Sequence, residues 1–352
     1  MPVKRAAKES PRGACVRLGV DSYSLRWQGW DAFQLLEYAA ALGLDGVQFS
    51  ERGNFASLEP DYLQALRRRA EELGLYLEVG MGSFDRYSRS FRPEYGSGEE
   101  QLRTMLRVAH LLGSPVLRCF LGSQADRQGA VPLREHLAEC VRTLRAVAPL
   151  ARDLGVMIAV ENHAGDLQGR ELRWLIEEAG PDYVGACLDT GNPVWVVEDP
   201  LLAAEVLAPY VVTTHVRDSR VMPHPRGAQV QWVPMGQGNV AIGAVIDHLR
   251  ARRPQVAINL EIITGLPPRV LPYFEPDFWQ LFPEMLAADF ARFVARTVQP
   301  PNAPFAQLEA PPGAAPDPAL CERLRLQQRQ HFEESVRYCR TVLGLGERGR
   351  SG

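Results

Sequence analysis

The sequence predicts an α/β protein, a (β/α)8 TIM-type barrel with an insertion between strand 8 and helix 8. Short runs rich in Val, Ile and Leu recur along most of the 352 residues, the pattern of parallel strands buried on both faces. Amphipathic segments alternate with them, and many stop at a glycine, which takes a left-handed C-cap without strain. Seven strand-then-helix units and an eighth strand can be counted, which is the number a closed barrel requires.

The first strand is expected at 16–24 (VRLGVDSYS), followed by a helix at 30–44, where Phe33, Leu36 and Ala40 recur near the helical period. Strand 2 (46–50, GVQFS) leads to a helix at 60–75, and strand 3 (75–81, LYLEVGM) to one at 99–113. Strand 4 (116–122, VLRCFLG) precedes the long amphipathic stretch 133–155, and strand 5 (157–163, MIAVENH) precedes 170–180. Strand 6 (184–192), helix 199–210, strand 7 (211–218), helix 241–253 and strand 8 (256–264) complete the series. The next helical pattern is not where helix 8 belongs. Residues 265–318 intervene, ending Pro/Ala-rich, and the long helix follows at 319–345. The insertion leaves the barrel on the side where active-site loops lie, so it is expected to cover the site or meet a partner subunit. Its apolar FWQLFPEML argues against a fully solvated spacer. The expected organisation is a disordered leader at 1–14, a barrel at 15–264, the insertion, the last helix, and a tail at 346–352.

Composition removes several function classes. Net charge is -3 with 46% hydrophobic residues, and no basic stripe points to nucleic acid. No run approaches the ~18 apolar residues of a membrane span. The polar, basic start lacks the apolar core of a signal peptide. Six cysteines form no CxxC pair; several sit in apolar runs and read as buried free thiols, which points to a reducing cytoplasm.

In this barrel class the loops after the strands build the active site, so ionisable residues ending strands are the candidates. Strand 5 supplies Glu161, with Asn162 and His163 beyond it; strand 6 supplies Asp189, strand 7 His215 and strand 8 Glu261. Burying three carboxylates side by side costs several kcal/mol each unless a cation neutralises them. One divalent ion is the economical solution. The oxygen-rich donor set favours Mn2+, Mg2+ or Co2+ and is compatible with Zn2+. Softer candidates carry two readings each. His163 binds substrate and moves a proton, or packs. Arg217 pairs with a substrate carboxylate or phosphate, or with Asp218. Trp195 forms an apolar pocket wall, or is a packed loop residue. No GxGxxG follows strand 1 and no P-loop is present, so a nucleotide cofactor is not indicated.

The segments AVENH, VGACLDTGN and THVRD, then GQGNVAIGAVIDHL and INLEI, resemble the xylose isomerase-like barrel superfamily. The likeness runs from about Val16 to Gly265 and resumes in ESVRYCRTVLGL. It implies that Glu161, Asp189, His215 and Glu261 bind the metal, and that Glu161 and Glu261 serve as base and acid around an enediolate. It implies a keto-sugar or sugar-acid isomerase or epimerase. The alternative is a lyase on the same scaffold: an inosose-type dehydratase, a 3-oxo sugar acid decarboxylase, or a C-glycoside-cleaving enzyme with a small partner subunit. A homo-oligomer is equally compatible. A non-catalytic binding barrel is disfavoured because all four ligands are present. Two departures are visible. Ala241 stands where relatives often carry Asp, and Asn192, a candidate substrate contact, stands where ketohexose epimerases carry His.

Overall fold

The computed structural model describes residues 16–299, 301, 304–311 and 317–347; the leader at 1–14, Cys15 and the end of the tail lie outside them. Eight parallel strands form the barrel: β1 (Leu18–Asp21), β2 (Gly46–Phe49), β3 (Tyr76–Ser83), β4 (Val116–Phe120), β5 (Met157–Glu161), β6 (Val184–Asp189), β7 (Val211–His215) and, after an excursion described below, β10 (Ile258–Leu260). β10 pairs with β1. The ring closes at Val216, whose N–H donates to the Asn259 carbonyl at 2.8 Å and whose carbonyl accepts from Glu261 N–H at 3.0 Å. The fold is a (β/α)8 barrel, as the sequence predicts.

The helices follow the amphipathic segments: α1 (Ala32–Ala41), α2 (Pro60–Glu72), α3 (Gly98–Leu112), the single turn α4 (Gln124–Arg127), α5 (Leu133–Leu154), α6 (Gly169–Ala179), α7 (Pro200–Leu207) and α8 (Ile242–Arg252). Gly113 and Gly155 end α3 and α5 at φ 73° and 65°, a conformation that costs other residues strain. Helix and strand side chains meet in one continuous core that includes Leu18, Phe49, Phe84 and Phe332. Among the described residues no helix is long and apolar enough to cross a membrane. Cys119, Cys140, Cys187 and Cys339 are buried free thiols.

Two features depart from the sequence reading. The strands are shorter than expected: 16–24 reduces to Leu18–Asp21, and Ser22–Leu25 turn into a 3-10 helix. Second, the stretch between strand 7 and α8, to which the sequence reading assigned no element, is a β-hairpin: β8 (Asp218–His224) and β9 (Gly227–Val233), joined by β11 (Arg269–Leu271) into a three-stranded antiparallel sheet. β11 comes from the start of the 265–318 segment, so this sheet ties that segment to the barrel mouth.

Beyond β11, described residues of that segment pack across the outer helices. It forms α9 (Ala287–Thr297), with Phe293 fully buried. Arg170 of α6 pairs with Asp289 at 2.8 Å, and Arg292 pairs with Glu205 of α7 at 2.6 Å. The long α10 (Pro318–Thr341) lies between α8 and α1. Arg340 donates to the carbonyls of Leu42 and Gly43 at 2.7 Å each, and Arg250 of α8 donates to the Gly344 carbonyl at 3.1 Å.

Candidate active site

Strand register brings the candidate residues to one level. Glu161 pairs across with Cys187, and Asp189 sits beside His215 on the next strand. Glu261 follows β10 directly. The structure gathers all four: one ligand atom each from Glu161, Asp189, His215 and Glu261 lies within 4.8 Å of the others, and all four are buried.

His215 is aimed. Gln48 on β2 donates through its Nε2 to Glu78 at 2.7 Å and to Thr213 at 3.0 Å, so its Oε1 is left as an acceptor for His215 Nε2–H. That bond directs Nδ1 at the carboxylates, 3.2 Å from Glu161 Oε2 and 3.2 Å from Glu261 Oε2. This is how a second residue orients a metal-ligating imidazole.

Asp21, ending β1, adds a fourth carboxylate; its Oδ2 lies 3.4 Å from His215 Nε2. Against these stand two buried guanidiniums. Arg118 of β4 donates to Glu161 Oε2 through Nε at 2.5 Å. Arg217 reaches Asp189 Oδ2 and, at 2.7 Å, Glu261 Oε2. Arg217 therefore pairs with these carboxylates and not with Asp218, which instead accepts from the N–H groups of Gly236 and Gly238 at 3.0 Å each. Only a glycine at 191 allows this, because a Cβ there would sit 2.5 Å from Arg217 Nε.

The balance is short by two positive charges, the charge of one divalent ion. The protons register the deficit. Burial, with the neighbouring Glu161 and Glu261, pushes the Asp189 carboxyl up to about 8 despite Arg217. Burial opposes a charged His215, yet Cys187 and the carboxylates of Glu161, Glu261 and Asp21 raise its pKa well above the ordinary value. Burial also opposes an ionised Glu161, but Arg118 and His215 outweigh it and hold that carboxyl well below its usual range. Asp21 Oδ2, His215 Nδ1 and Glu261 Oε2 are buried without hydrogen-bond partners. Of these, Glu261 Oε2 still has the Arg217 charge beside it; buried atoms that make no hydrogen bond are costly, and a cation among the three would give each a partner. The donor set fits a divalent ion.

The remaining candidates surround this cluster. Asn162 does not face the pocket; it bridges β5 and β6, donating to the Asp189 carbonyl at 3.0 Å and accepting from Asp189 N–H at 2.9 Å. Asn192 donates to Glu161 Oε1 at 3.1 Å. His163 donates Nδ1–H to the Gly122 carbonyl at 2.6 Å and stacks on Phe120 at 3.8 Å. Burial lowers its pKa, so the neutral ring keeps an acceptor at Nε2. Trp195 stacks on Trp232 of β9 at 4.4 Å, with Arg217 over the far face of Trp232 at 4.3 Å and Arg269 of β11 over Trp195 at 4.4 Å. His163, Asn192, Trp195, Arg217 and Glu261 share the wall of one cavity of about 290 Å3 with Arg118. Sequence reasoning missed Asp21, Gln48, Arg118, Trp232 and Arg269. For the first three a signal existed: each is a polar or charged residue in an otherwise apolar strand, Asp21 at its end and Gln48 and Arg118 within.

Two curated relatives match part of the chain. The uncharacterized protein YihM of Escherichia coli K12 is 22% identical over 219 residues, 61% of this chain and 61% of that protein. The chain thus spans about three-fifths of that relative's length. The 3-oxo-isoapionate decarboxylase of Pectobacterium atrosepticum is 24% identical over 208 residues, 57% of this chain and 68% of that protein. Among solved structures, a D-psicose 3-epimerase crystallised in the presence of D-fructose superposes with a TM-score of 0.59 at 18% identity, covering 93% of this chain and 99% of that one. The family model for xylose isomerase-like TIM barrels matches residues 36–274, more than half of the sequence, and the chain belongs to that family.

Proposed function

We propose that the protein is a divalent-metal-dependent isomerase or epimerase of a keto-sugar or sugar acid. The observation that carries this reading is the convergence of Glu161, Asp189, His215 and Glu261 within 4.8 Å, in a buried cluster short of two positive charges. Mn2+, Mg2+ or Co2+ suits the oxygen-rich set, and Zn2+ is compatible with it. A bound ion supplies Lewis-acid polarisation of a substrate carbonyl and stabilises the negative charge that follows loss of the adjacent proton.

The chain's own residues do the rest. Glu161 is held ionised by Arg118 and is the proposed base; Glu261, itself held ionised against burial by Arg217 and His215 with its carboxyl down at about 2, is the proposed acid once it has taken a proton from solvent, which it then returns to the substrate carbon. His163 offers Nε2 to a substrate hydroxyl and can accept a proton there. Asn192 keeps Glu161 in place, and the Trp195–Trp232 stack excludes water from one side of the cavity. The structural neighbour named as a D-psicose 3-epimerase supports this chemistry. A second reading is a decarboxylase of an oxo sugar acid, supported by the curated relative of that kind and by two guanidiniums in the pocket.

Incubating the metal-loaded protein with keto-sugars and keto-sugar acids in D2O tests both. Isomerisation or epimerisation is expected to place one deuterium on the carbon beside the carbonyl without loss of carbon. Release of CO2 establishes the decarboxylase instead, and a panel with neither result removes the enzymatic reading for these substrates.

A further inference from the structure

We propose that the group this pocket selects is a carboxylate, so that the substrate is an oxo sugar acid and Arg217, backed by Arg118, holds its acidic end. The inference rests on the metal-site reading and narrows its substrate class.

Arg118 and Arg217 are 3% and 2% exposed and line the same cavity. With one divalent ion bound, the ion and these two guanidiniums together balance the four inner carboxylates, so no net negative charge is left to repel an acidic ligand. Arg217 already carries an unanswered donor, as its Nε is buried without a hydrogen-bond partner, and so is Trp195 Nε1 on the same wall. Each orphan donor costs ~1–3 kcal/mol. A carboxylate is an acceptor-only group with about four lone-pair sites; a hydroxyl brings a donor of its own into a wall that already has donors to spare. A guanidinium meets a carboxylate through two parallel N–H bonds.

Two further cations stand near the mouth. Arg269 is held by Gln124 and lies over Trp195. Arg26 donates to the carbonyls of Tyr23 and Thr264 at 3.3 and 2.5 Å. The carboxylates lining the cavity are Glu51, which is exposed, and Glu261, which is already paired with Arg217. The approach to the metal cluster therefore carries excess positive charge, which draws an anion in and gives a neutral sugar no advantage.

The test compares arabino-hex-2-ulosonate with D-fructose, two ligands that differ only in whether C1 is a carboxylate or a hydroxymethyl group. Binding to the Mn2+-loaded protein is read from the tryptophan fluorescence of the Trp195–Trp232 stack, and bound Mn2+ is measured on the same samples. The keto acid is expected to bind at least ~10-fold tighter. Arg217→Gln is expected to bring the ratio near one with one Mn2+ still bound. Arg269→Gln, outside the buried ion pairs, is expected to weaken the keto acid alone by a few-fold. Equal binding, binding of neither ligand, or a preference that survives Arg217→Gln overturns the proposal. A protein that takes up no Mn2+ but keeps the acid preference upholds this inference and refutes the metal site. One that holds Mn2+ without the preference does the reverse.

Discussion

Glu161→Gln is expected to slow deuterium incorporation per metal-loaded site by on the order of 10²–10⁴, the usual worth of a positioned acid–base group. Gln is close to Glu in shape and keeps an oxygen directed at the cluster, but it cannot take a proton. Glu161 is suited to that task by its surroundings: Arg118 at 2.5 Å and Asn192 at 3.1 Å fix both of its oxygens. Scoring the rate against bound metal, in the same D2O assay, separates chemistry from occupancy. A variant that retains both metal and rate would remove Glu161 from the proton transfer and leave His163, which lines the same cavity, as the base.

Arg118→Met is expected to cost ~3–5 kcal/mol at pH 7 in metal-free protein, as removing one partner of a buried ion pair does. The Arg118 and Glu161 side chains are 4% and 0% exposed, so water cannot take over. The pH dependence fixes the sign. In the native protein Glu161 ionises well below its ordinary 4.5, so its contribution is present above that value and is lost as pH falls through the depressed folded value. Without Arg118, burial dominates and the folded value rises above the unfolded one. The variant then loses stability as pH rises past the unfolded value, and its deficit narrows toward pH ~5. Urea unfolding at pH 7 and pH 5 reads this directly. Adding Mn2+ is expected to restore part of the loss, because a ligand at ~100 times its Kd stabilises by about 2.7 kcal/mol. A loss under ~1 kcal/mol at both pH values would mean that Arg118 and Glu161 are not electrostatically dependent on one another.

The barrel was legible because its signal is redundant. Eight apolar runs and their alternating amphipathic segments each point to the same topology, and the four cluster residues declare themselves as ionisable groups ending such runs. What escaped the sequence has physical reasons. Gln48 and Arg118 sit inside strands and Asp21 ends the first one, whereas the ionisable strand ends that stand out in the sequence lie on the last four. Their burial makes sense only once the facing strands are known, since Gln48 is explained by His215 on β7 and Arg118 by Glu161 on β5. The β8–β9 hairpin was missed because Asp218, Arg220, Pro223 and Arg226 break the apolar run that marks a buried strand. It is an antiparallel ribbon buried along most of both strands, including polar residues such as Asp218, Ser219, Arg220 and Gln231. Trp232 and Arg269 were therefore invisible as pocket residues, although Trp195, their neighbour in the stack, was named. Strand lengths were overestimated for a related reason. Residues such as Ser22 and Ser24 are buried under loops and share the pattern of the strands they follow.

The central claim is that one divalent ion is held jointly by four side chains from the last four barrel strands. A crystal grown with Mn2+ and measured at the manganese absorption edge tests it most directly. The account predicts a single anomalous peak per chain, bonded to Glu161, Asp189, His215 Nδ1 and Glu261, and its loss on His215→Ala. No peak at that position, or a peak that persists unchanged without the imidazole, would contradict it.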